Sequence, residues 1–171
     1  IINNDRPLFY SFVGAHDVHY LSKIRLELFE MNHPDNCHIR QTGSWHFNTS
    51  VFTSKQNSKY ELDPGGDHDT NTVAYNNILK DSVFSLCPVG AGPNTIRLWE
   101  SLAVGSIPVV LSDLHELPKH ELWKYAAVLL PEKDVKNLAE VLARIPKETI
   151  KLMRSNCLKI YRHFRSNFKN D

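Results

Sequence analysis

Residues 82–100 read SVFSLCPVGAGPNTIRLWE, and this stretch decides the fold. The apolar run at 83–87 has the length and composition of a buried strand. A helix is predicted over 94–104, and a glycine-containing loop separates it from the strand. A strand, a glycine loop and a helix start in this order are typical of α/β proteins that bind phosphate groups.

The loop between this strand and helix has the features of an anion site. Gly90 and Gly92 allow the backbone to turn sharply and to approach a ligand closely. Asn94 or Thr95 is a suitable N-cap, and the helix N-terminus offers N–H groups and a partial positive charge to a diphosphate without any metal ion. The loop is neither a Walker loop nor a full dinucleotide fingerprint, because no Gly-Lys-Ser/Thr follows and a third glycine is absent.

Arg97 and Glu100 are three residues apart and therefore share a face of the predicted helix. A cation in the first turn is unfavourable unless an anion is near, and a guanidinium can hold a phosphate with two hydrogen bonds. A carboxylate one turn deeper can accept two hydrogen bonds from a ribose diol. Spacing alone favours an ordinary Arg–Glu pair on a solvated face. The strand-loop-helix context narrows the difference between that explanation and a ligand site, although two glycines alone are a weak signal.

Strands and helices alternate along the rest of the chain. Further strands are predicted at 8–14, 37–40, 107–111 and 126–130, and helices at 20–31, 71–80, 119–125, 134–144 and 146–168. This alternation predicts an α/β fold, a Rossmann-like parallel sheet with helices on both faces. Residues 41–70 are predicted to form a long polar loop with a short strand near 49–53. Such sheets bind ligands at the carboxyl ends of their strands, here after Gly14, Cys87 and Leu111.

The composition is that of one ordinary globular domain, predicted to span 1–171. Hydrophobic residues make up 42% of the chain and charged residues 23%, and the net charge of +1 gives no basic excess for nucleic acid. The three cysteines, Cys37, Cys87 and Cys157, are too far apart for a zinc motif and odd in number, so we expect buried thiols without disulfides. The longest apolar runs are shorter than the ~20 residues that span a bilayer.

Residues 82–118 resemble the signature region of the exostosin family. In that family a strand ending in Leu-Cys-Pro-x-Gly leads to a helix with Arg-x-x-Glu, then to Gly-x-Ile-Pro-Val-Val-Leu-Ser-Asp and Leu-Pro. This chain has these motifs, in the same order and with the same gaps, at 86–90, 97–100, 105–113 and 117–118. Weaker similarity covers the opening strand followed by Arg25, and residues 161–164.

The resemblance implies an inverting glycosyltransferase of the GT-B fold, in which two Rossmann-like domains face a cleft. This chain would be the half that binds the nucleotide sugar, and a sugar would pass from a UDP-sugar to a glycan acceptor without a metal ion or other cofactor. Carried over, Arg97 would be catalytic, because it would neutralise the diphosphate leaving group, and Glu100 would hold the ribose. Gly14 and Arg25 would also face the donor.

The remaining expected donor contacts come from two loops. Gly90, Gly92, Asn94 and Thr95 belong to the glycine loop and helix start. The second loop follows the strand at 107–111 at its carboxyl end. There His115 and Glu116 are expected to touch the sugar or base, and Asp113 is counted among the donor contacts. A polar turn is an equal alternative for His115 and Glu116, and a cap of the following turn is favoured over catalysis for Asp113.

The resemblance also implies what lies outside this chain. We expect an N-terminal acceptor domain that supplies the general base. We expect the protein to act in the Golgi lumen if it is eukaryotic and in the cytoplasm if it is bacterial or viral. The sequence names neither the sugar nor the acceptor. One alternative is a non-catalytic module that binds a nucleotide or a glycan. Another, a flavodoxin-like regulator, would need an acidic pocket after the first strand, which Gly14-Ala15-His16 does not provide.

Overall fold

The computed structural model describes residues 5–42, the backbone of 52–55 and of 68–69, and residues 70–167. Most of the predicted loop at 41–70 lies outside these residues. The strands are β1 (Leu8–Gly14), β2 (His38–Gln41), β3 (Phe52–Lys55), β4 (Ser82–Pro88), β5 (Ile107–Leu111) and β6 (Val128–Leu129). The α-helices are α1 (Ile24–Glu30), α2 (His68–Asp81), α3 (Ile96–Val104), α4 (Leu138–Ala143) and α5 (Lys147–Asn167), and 3-10 helices cover Glu121–Tyr125 and Glu132–Asn137.

The strands form one sheet in the order β3-β2-β1-β4-β5-β6. Five of the strands are parallel, and β3 runs antiparallel to β2 at the edge. The chain goes from β1 outward to β2 and then returns to the other side of β1 as β4, so the direction of winding switches between β1 and β4. The predicted α/β Rossmann-like sheet is therefore confirmed, with an antiparallel edge strand in addition.

Helices cover the sheet because its strands are apolar on both faces. In β1, Phe12 stacks on Phe29 of α1 with ring centroids 5.4 Å apart, whereas the next residue, Val13, packs with Ile78 of α2. Side chains of consecutive strand residues point to opposite faces, so α1 and α2 lie on opposite sides of β1. Every residue of β5 is buried, as expected for a central parallel strand.

The first helix is shorter than its apolar pattern predicts. The prediction begins at residue 20, but α1 begins at Ile24, because the preceding residues form a turn in which the N–H of Tyr20 donates to the Asp17 carbonyl. Leu21, counted as part of the apolar face, is 50% exposed. Its N–H donates to the carbonyl of Gly90 at 3.0 Å, which ties this turn to the glycine loop.

The predicted burial of the cysteines is confirmed. Cys37, Cys87 and Cys157 are buried, and none of the three is in a disulfide. Trp99 packs against Trp123 and Phe164, with ring centroids 6.1 and 5.3 Å away. None of the helices in the described part of the chain is long and apolar enough to cross a membrane.

Candidate functional site

A cavity of about 380 Å³ lies at the carboxyl ends of β1 and β4, at the switch point of the sheet. The end of β1, the glycine loop and the first turns of α3 supply most of its wall. It is lined by Val13, Gly14, Ala15, Tyr20, Arg25, Thr42, Tyr75, Gly90, Ala91, Gly92, Asn94, Thr95, Ile96, Arg97 and Glu100. Two of the three loops that the sequence predicts as the site therefore meet here.

Arg25, on α1, joins the two loops that border the cavity. Its Nε donates to the carbonyl of Val89 at 2.9 Å, and its Nη1 donates to the carbonyl of Ala15 at 3.0 Å. Its guanidinium also lies 4.9 Å from the ring centroid of Tyr20. These partners are neutral, so Arg25 holds the loops together while its positive charge stays uncompensated by them.

Arg97 and Glu100 are connected through a tyrosine. The Nε of Arg97 donates to the hydroxyl of Tyr75 at 3.1 Å, and that hydroxyl donates to Oε2 of Glu100 at 2.8 Å. Nη2 of Arg97 donates to the carbonyl of Val13 in β1, and the guanidinium carbon lies 4.7 Å from the ring centroid of Phe12. Three neighbouring elements, β1, α2 and α3, thus fix the orientation of Arg97.

The glycine loop leads into a capped helix. Thr95 is the N-cap of α3, and its hydroxyl accepts a hydrogen bond from the N–H of Arg97 at 3.3 Å, which decides between the two predicted caps. Gly90 lies directly against Arg25, because a Cβ added there would be 2.6 Å from Nη2 of that side chain. The close approach requires glycine, whereas a Cβ on Gly92 would have no atom within 4 Å.

The two arginines bring positive charge to the cavity. Burial, and then the neighbouring Arg97, lower the pKa of Arg25 to about 10. Burial also acts to lower the pKa of Arg97, but Tyr75, Cys87 and Glu100 more than offset it, and the net shift is upward. Both side chains are therefore charged at neutral pH. Among the residues that the structure describes, no carboxylate forms a direct ion pair with either of them.

Eight of the predicted donor-site residues line this one cavity, namely Gly14, Arg25, Gly90, Gly92, Asn94, Thr95, Arg97 and Glu100. Asp113 and His115 do not line it. Oδ1 of Asp113 accepts from the N–H of Glu132, the first residue of the 3-10 helix Glu132–Asn137, at 3.1 Å. Nδ1 of His115 lies 2.9 Å from the carbonyl of Pro93 in the glycine loop. Their predicted contact with the donor stays a prediction.

Sequence reasoning missed the two tyrosines in the cavity. Tyr75 comes from α2, where its helical spacing indicates only an apolar face, and Tyr20 comes from the turn before α1. No motif marks either residue, since both reach the site through tertiary packing. A phenol in the middle of a helix carries no local signal for a contact with Arg97, which is 22 positions away. Across the described residues, no three metal-ligating side chains come together.

The chain matches the family model of the exostosin GT47 domain over residues 1–145. It is 37% identical over 86 residues to a probable glucuronoxylan glucuronosyltransferase of Arabidopsis thaliana, covering 49% of this chain and 18% of that protein. It is 26% identical over 162 residues to the exostosin-1 homolog of Caenorhabditis elegans, covering 94% of this chain and 41% of that protein.

A third relative, a probable beta-1,4-xylosyltransferase of Arabidopsis thaliana, is 36% identical over 91 residues, which is 52% of this chain and 21% of the relative. The chain thus spans between 18% and 41% of the length of these three relatives. The family model, in contrast, covers most of the 171 residues. On that match, the chain belongs to the exostosin GT47 domain family.

Proposed function

We propose that this chain provides the donor site of an inverting glycosyltransferase, which transfers a sugar from a UDP-sugar to a glycan acceptor. The observation that carries the proposal is the pair of arginines, Arg25 and Arg97, at a helix N-terminus on the switch point of the sheet. Relatives of this chain are named as glucuronosyl- and xylosyltransferases, which supports glycosyl transfer and leaves hexose or pentose open.

Arg97 is proposed to bind the diphosphate of the donor. A guanidinium has five N–H groups. Nε is used by Tyr75 and one N–H of Nη2 by Val13, so both N–H groups of Nη1 and one of Nη2 stay available for phosphate oxygens. Two adjacent donors of this kind form the bidentate contact that makes arginine a strong phosphate ligand. The N-terminus of α3 adds its partial positive charge.

Glu100 is proposed to accept hydrogen bonds from the ribose hydroxyls. An ionised carboxylate has about four lone-pair positions, and the hydroxyl of Tyr75 occupies one of them at Oε2. Oε1 and the second position at Oε2 suit the two neighbouring hydroxyls of a ribose. Arg97 and Glu100 are about one helical turn apart and line the same cavity, so we assign the diphosphate to Arg97 and the nucleoside to Glu100.

In the proposed reaction, a hydroxyl oxygen of the acceptor attacks the anomeric carbon from the face opposite UDP. The bond from that carbon to the diphosphate oxygen breaks, and its electron pair leaves with UDP. Arg97 and the N-terminus of α3 stabilise the charge that develops on the diphosphate, often the largest contribution to catalysis. The proton of the acceptor hydroxyl passes to a base that we assign to the expected acceptor domain, and no metal ion takes part.

The test is a calorimetric titration of the purified chain with UDP, with and without EDTA. We expect binding that EDTA leaves unchanged and that weakens by about tenfold or more in Glu100→Ala and in Arg97→Ala, because each loses charge-assisted hydrogen bonds. Glu140→Ala and Arg144→Ala are the matched controls, since these residues form an exposed ion pair on and beside α4.

No heat of binding at millimolar UDP, or equal affinities in the site and control variants, would contradict this donor site. Loss of binding in EDTA would contradict its independence of metal. If a full-length enzyme binds UDP but transfers no sugar from any UDP-sugar, the non-catalytic binding module becomes the better explanation.

A further inference from the structure

Tyr75 is the one residue that contacts both Arg97 and Glu100 through hydrogen bonds among the described lining of the cavity. It reaches them from α2, a helix that carries none of the sequence motifs, and its ring lies 5.8 Å from the guanidinium carbon of Arg97. Its hydroxyl stands between the two charges, 3.1 Å from Nε of Arg97 and 2.8 Å from Oε2 of Glu100.

The direction of these two hydrogen bonds is fixed by the chemistry of the groups. A guanidinium only donates and an ionised carboxylate only accepts. The hydroxyl of Tyr75 therefore accepts from Arg97 and gives its single proton to Glu100. Burial is the main cause that raises the pKa of Tyr75 to about 12, so the phenol keeps its proton at neutral pH. Both hydrogen-bonding functions of the hydroxyl are then used within the protein.

Without that hydroxyl, Arg97 and Glu100 would be free to meet. They are three residues apart on α3, a spacing at which opposite charges on a helix readily form an ion pair. A direct ion pair would occupy the N–H groups of Arg97 that we assign to the diphosphate and the carboxylate of Glu100 that we assign to the ribose. In the structure the two groups instead share one hydroxyl and make no direct ion pair within the described residues.

We propose that Tyr75 is a positioning residue of the donor site, which keeps Arg97 and Glu100 from neutralising each other. This inference rests on the proposed function, because it assigns the freed guanidinium to the diphosphate and the freed carboxylate to the ribose. Tyr75 does not touch the reacting atoms. It acts by holding Arg97 so that Nη1 and Nη2 stay available, together with the Val13 carbonyl and the ring of Phe12.

The test is a double-mutant cycle with Tyr75→Phe and Glu100→Gln, read by titration of the chain with inorganic pyrophosphate. Pyrophosphate has no ribose, so its affinity reports on the diphosphate site around Arg97 and not on the proposed ribose contact of Glu100. We expect Tyr75→Phe to weaken pyrophosphate binding about tenfold, since Arg97 turns to Glu100. Glu100→Gln removes the charge of Glu100. The resulting gain in pyrophosphate affinity should be at least about fivefold larger in the Tyr75→Phe chain than in the wild-type chain.

Equal gains in the two backgrounds, or wild-type affinity in Tyr75→Phe, would overturn the positioning role and leave the donor site standing. Failure of the wild-type chain to bind both pyrophosphate and UDP would overturn the donor site itself. If Tyr75→Phe does not fold, the nitrogen-15 NMR signal of Arg97 Nε–H provides the second measurement. It should stay close to its wild-type position in Tyr75→His, which keeps a ring and restores an acceptor, and a shift to the position of an Nε–H exposed to water would contradict the inference.

Discussion

Arg25 shows how one residue can be needed for a site without being its strongest ligand. Its Nε and Nη1 donate to carbonyls of Val89 and Ala15, in the loops that follow β4 and β1. The same guanidinium carries a positive charge, and burial together with the repulsion of Arg97 lowers its pKa to about 10. An anion in the cavity would relieve that repulsion, so loop position and anion binding depend on the same guanidinium.

The contact of Gly90 with Arg25 gives a prediction for a single added methyl group. In Gly90→Ala, the Cβ would lie 2.6 Å from Nη2 and 3.1 Å from Cζ of Arg25, so the guanidinium must move. We expect a loss of about 1–3 kcal/mol in the free energy of unfolding, as for other overpacked sites. We also expect roughly tenfold weaker UDP binding. Urea denaturation and calorimetry measure the two effects.

Gly92→Ala is the matched control for Gly90→Ala. Gly92 lines the same cavity, but an added Cβ would meet no atom within 4 Å, and Gly92 does not have a positive φ. We expect its stability to stay within roughly 0.5 kcal/mol of the wild type. Equal losses in the two variants would show that loop flexibility, rather than the contact with Arg25, explains the effect of Gly90→Ala.

Helix α3 was predictable from the sequence because its start, face and end are all encoded locally. Thr95 caps its first turn, Leu98 and Leu102 are buried one turn apart, and Gly105 ends it. The start of α1 was not predictable in this way, because the turn before it depends on a hydrogen bond from Leu21 to Gly90, far along the chain. The place of Tyr75 in the site likewise depends on how α2 packs beside α3.

The end of α3 supports a second prediction. Gly105 has φ +66°, its N–H donates to the carbonyl of Leu102, and the N–H of Ser106 donates to the carbonyl of Ser101. This is the hydrogen-bond pattern of a Schellman motif, which favours glycine. An added Cβ would be no closer than 3.7 Å to its neighbours, so Gly105→Ala should lose about 1–2 kcal/mol of stability through backbone conformation alone.

Gly105→Asn tests that explanation, because asparagine tolerates the left-handed conformation better than alanine does. Chemical denaturation should place the Asn variant between wild type and the Ala variant. If Gly105→Ala is as stable as the wild type, or if Asn costs more than Ala, the stability of this helix end does not depend on the left-handed backbone.

At the scale of the whole molecule, the position of the site follows from the topology of the sheet. β1 and β4 are neighbours whose chains continue in opposite directions across the sheet, so their following loops separate and leave a cavity between them. Alternation of strands and helices in the sequence predicts this cavity, and the motifs predict which loops border it. The short strand predicted near 49–53 overlaps β3, but its antiparallel pairing at the sheet edge was not predicted, because the segment around it has no regular apolar pattern.

The sheet also makes the stability of the whole molecule depend on pH. His38 in β2 has no exposed surface, and burial, with the charge of Arg40 as a second cause, lowers its pKa to about 4. In the unfolded chain its pKa is about 6.5. Between these values the unfolded state binds a proton that the folded state does not. The contribution of neutral His38 to the free energy of unfolding is therefore fully present above pH 6.5 and is lost as the pH falls toward 4.

We expect the free energy of unfolding to fall by about 2 kcal/mol between pH 7 and pH 5 on account of His38. His38→Gln should remove most of that decrease, because its amide does not titrate. Urea denaturation at several pH values measures the slope, and the difference between the two proteins at pH 7 gives the cost of the substitution itself. If the free energy of unfolding falls as steeply between pH 7 and pH 5 in His38→Gln as in the wild type, groups other than His38 cause the acid sensitivity of the fold.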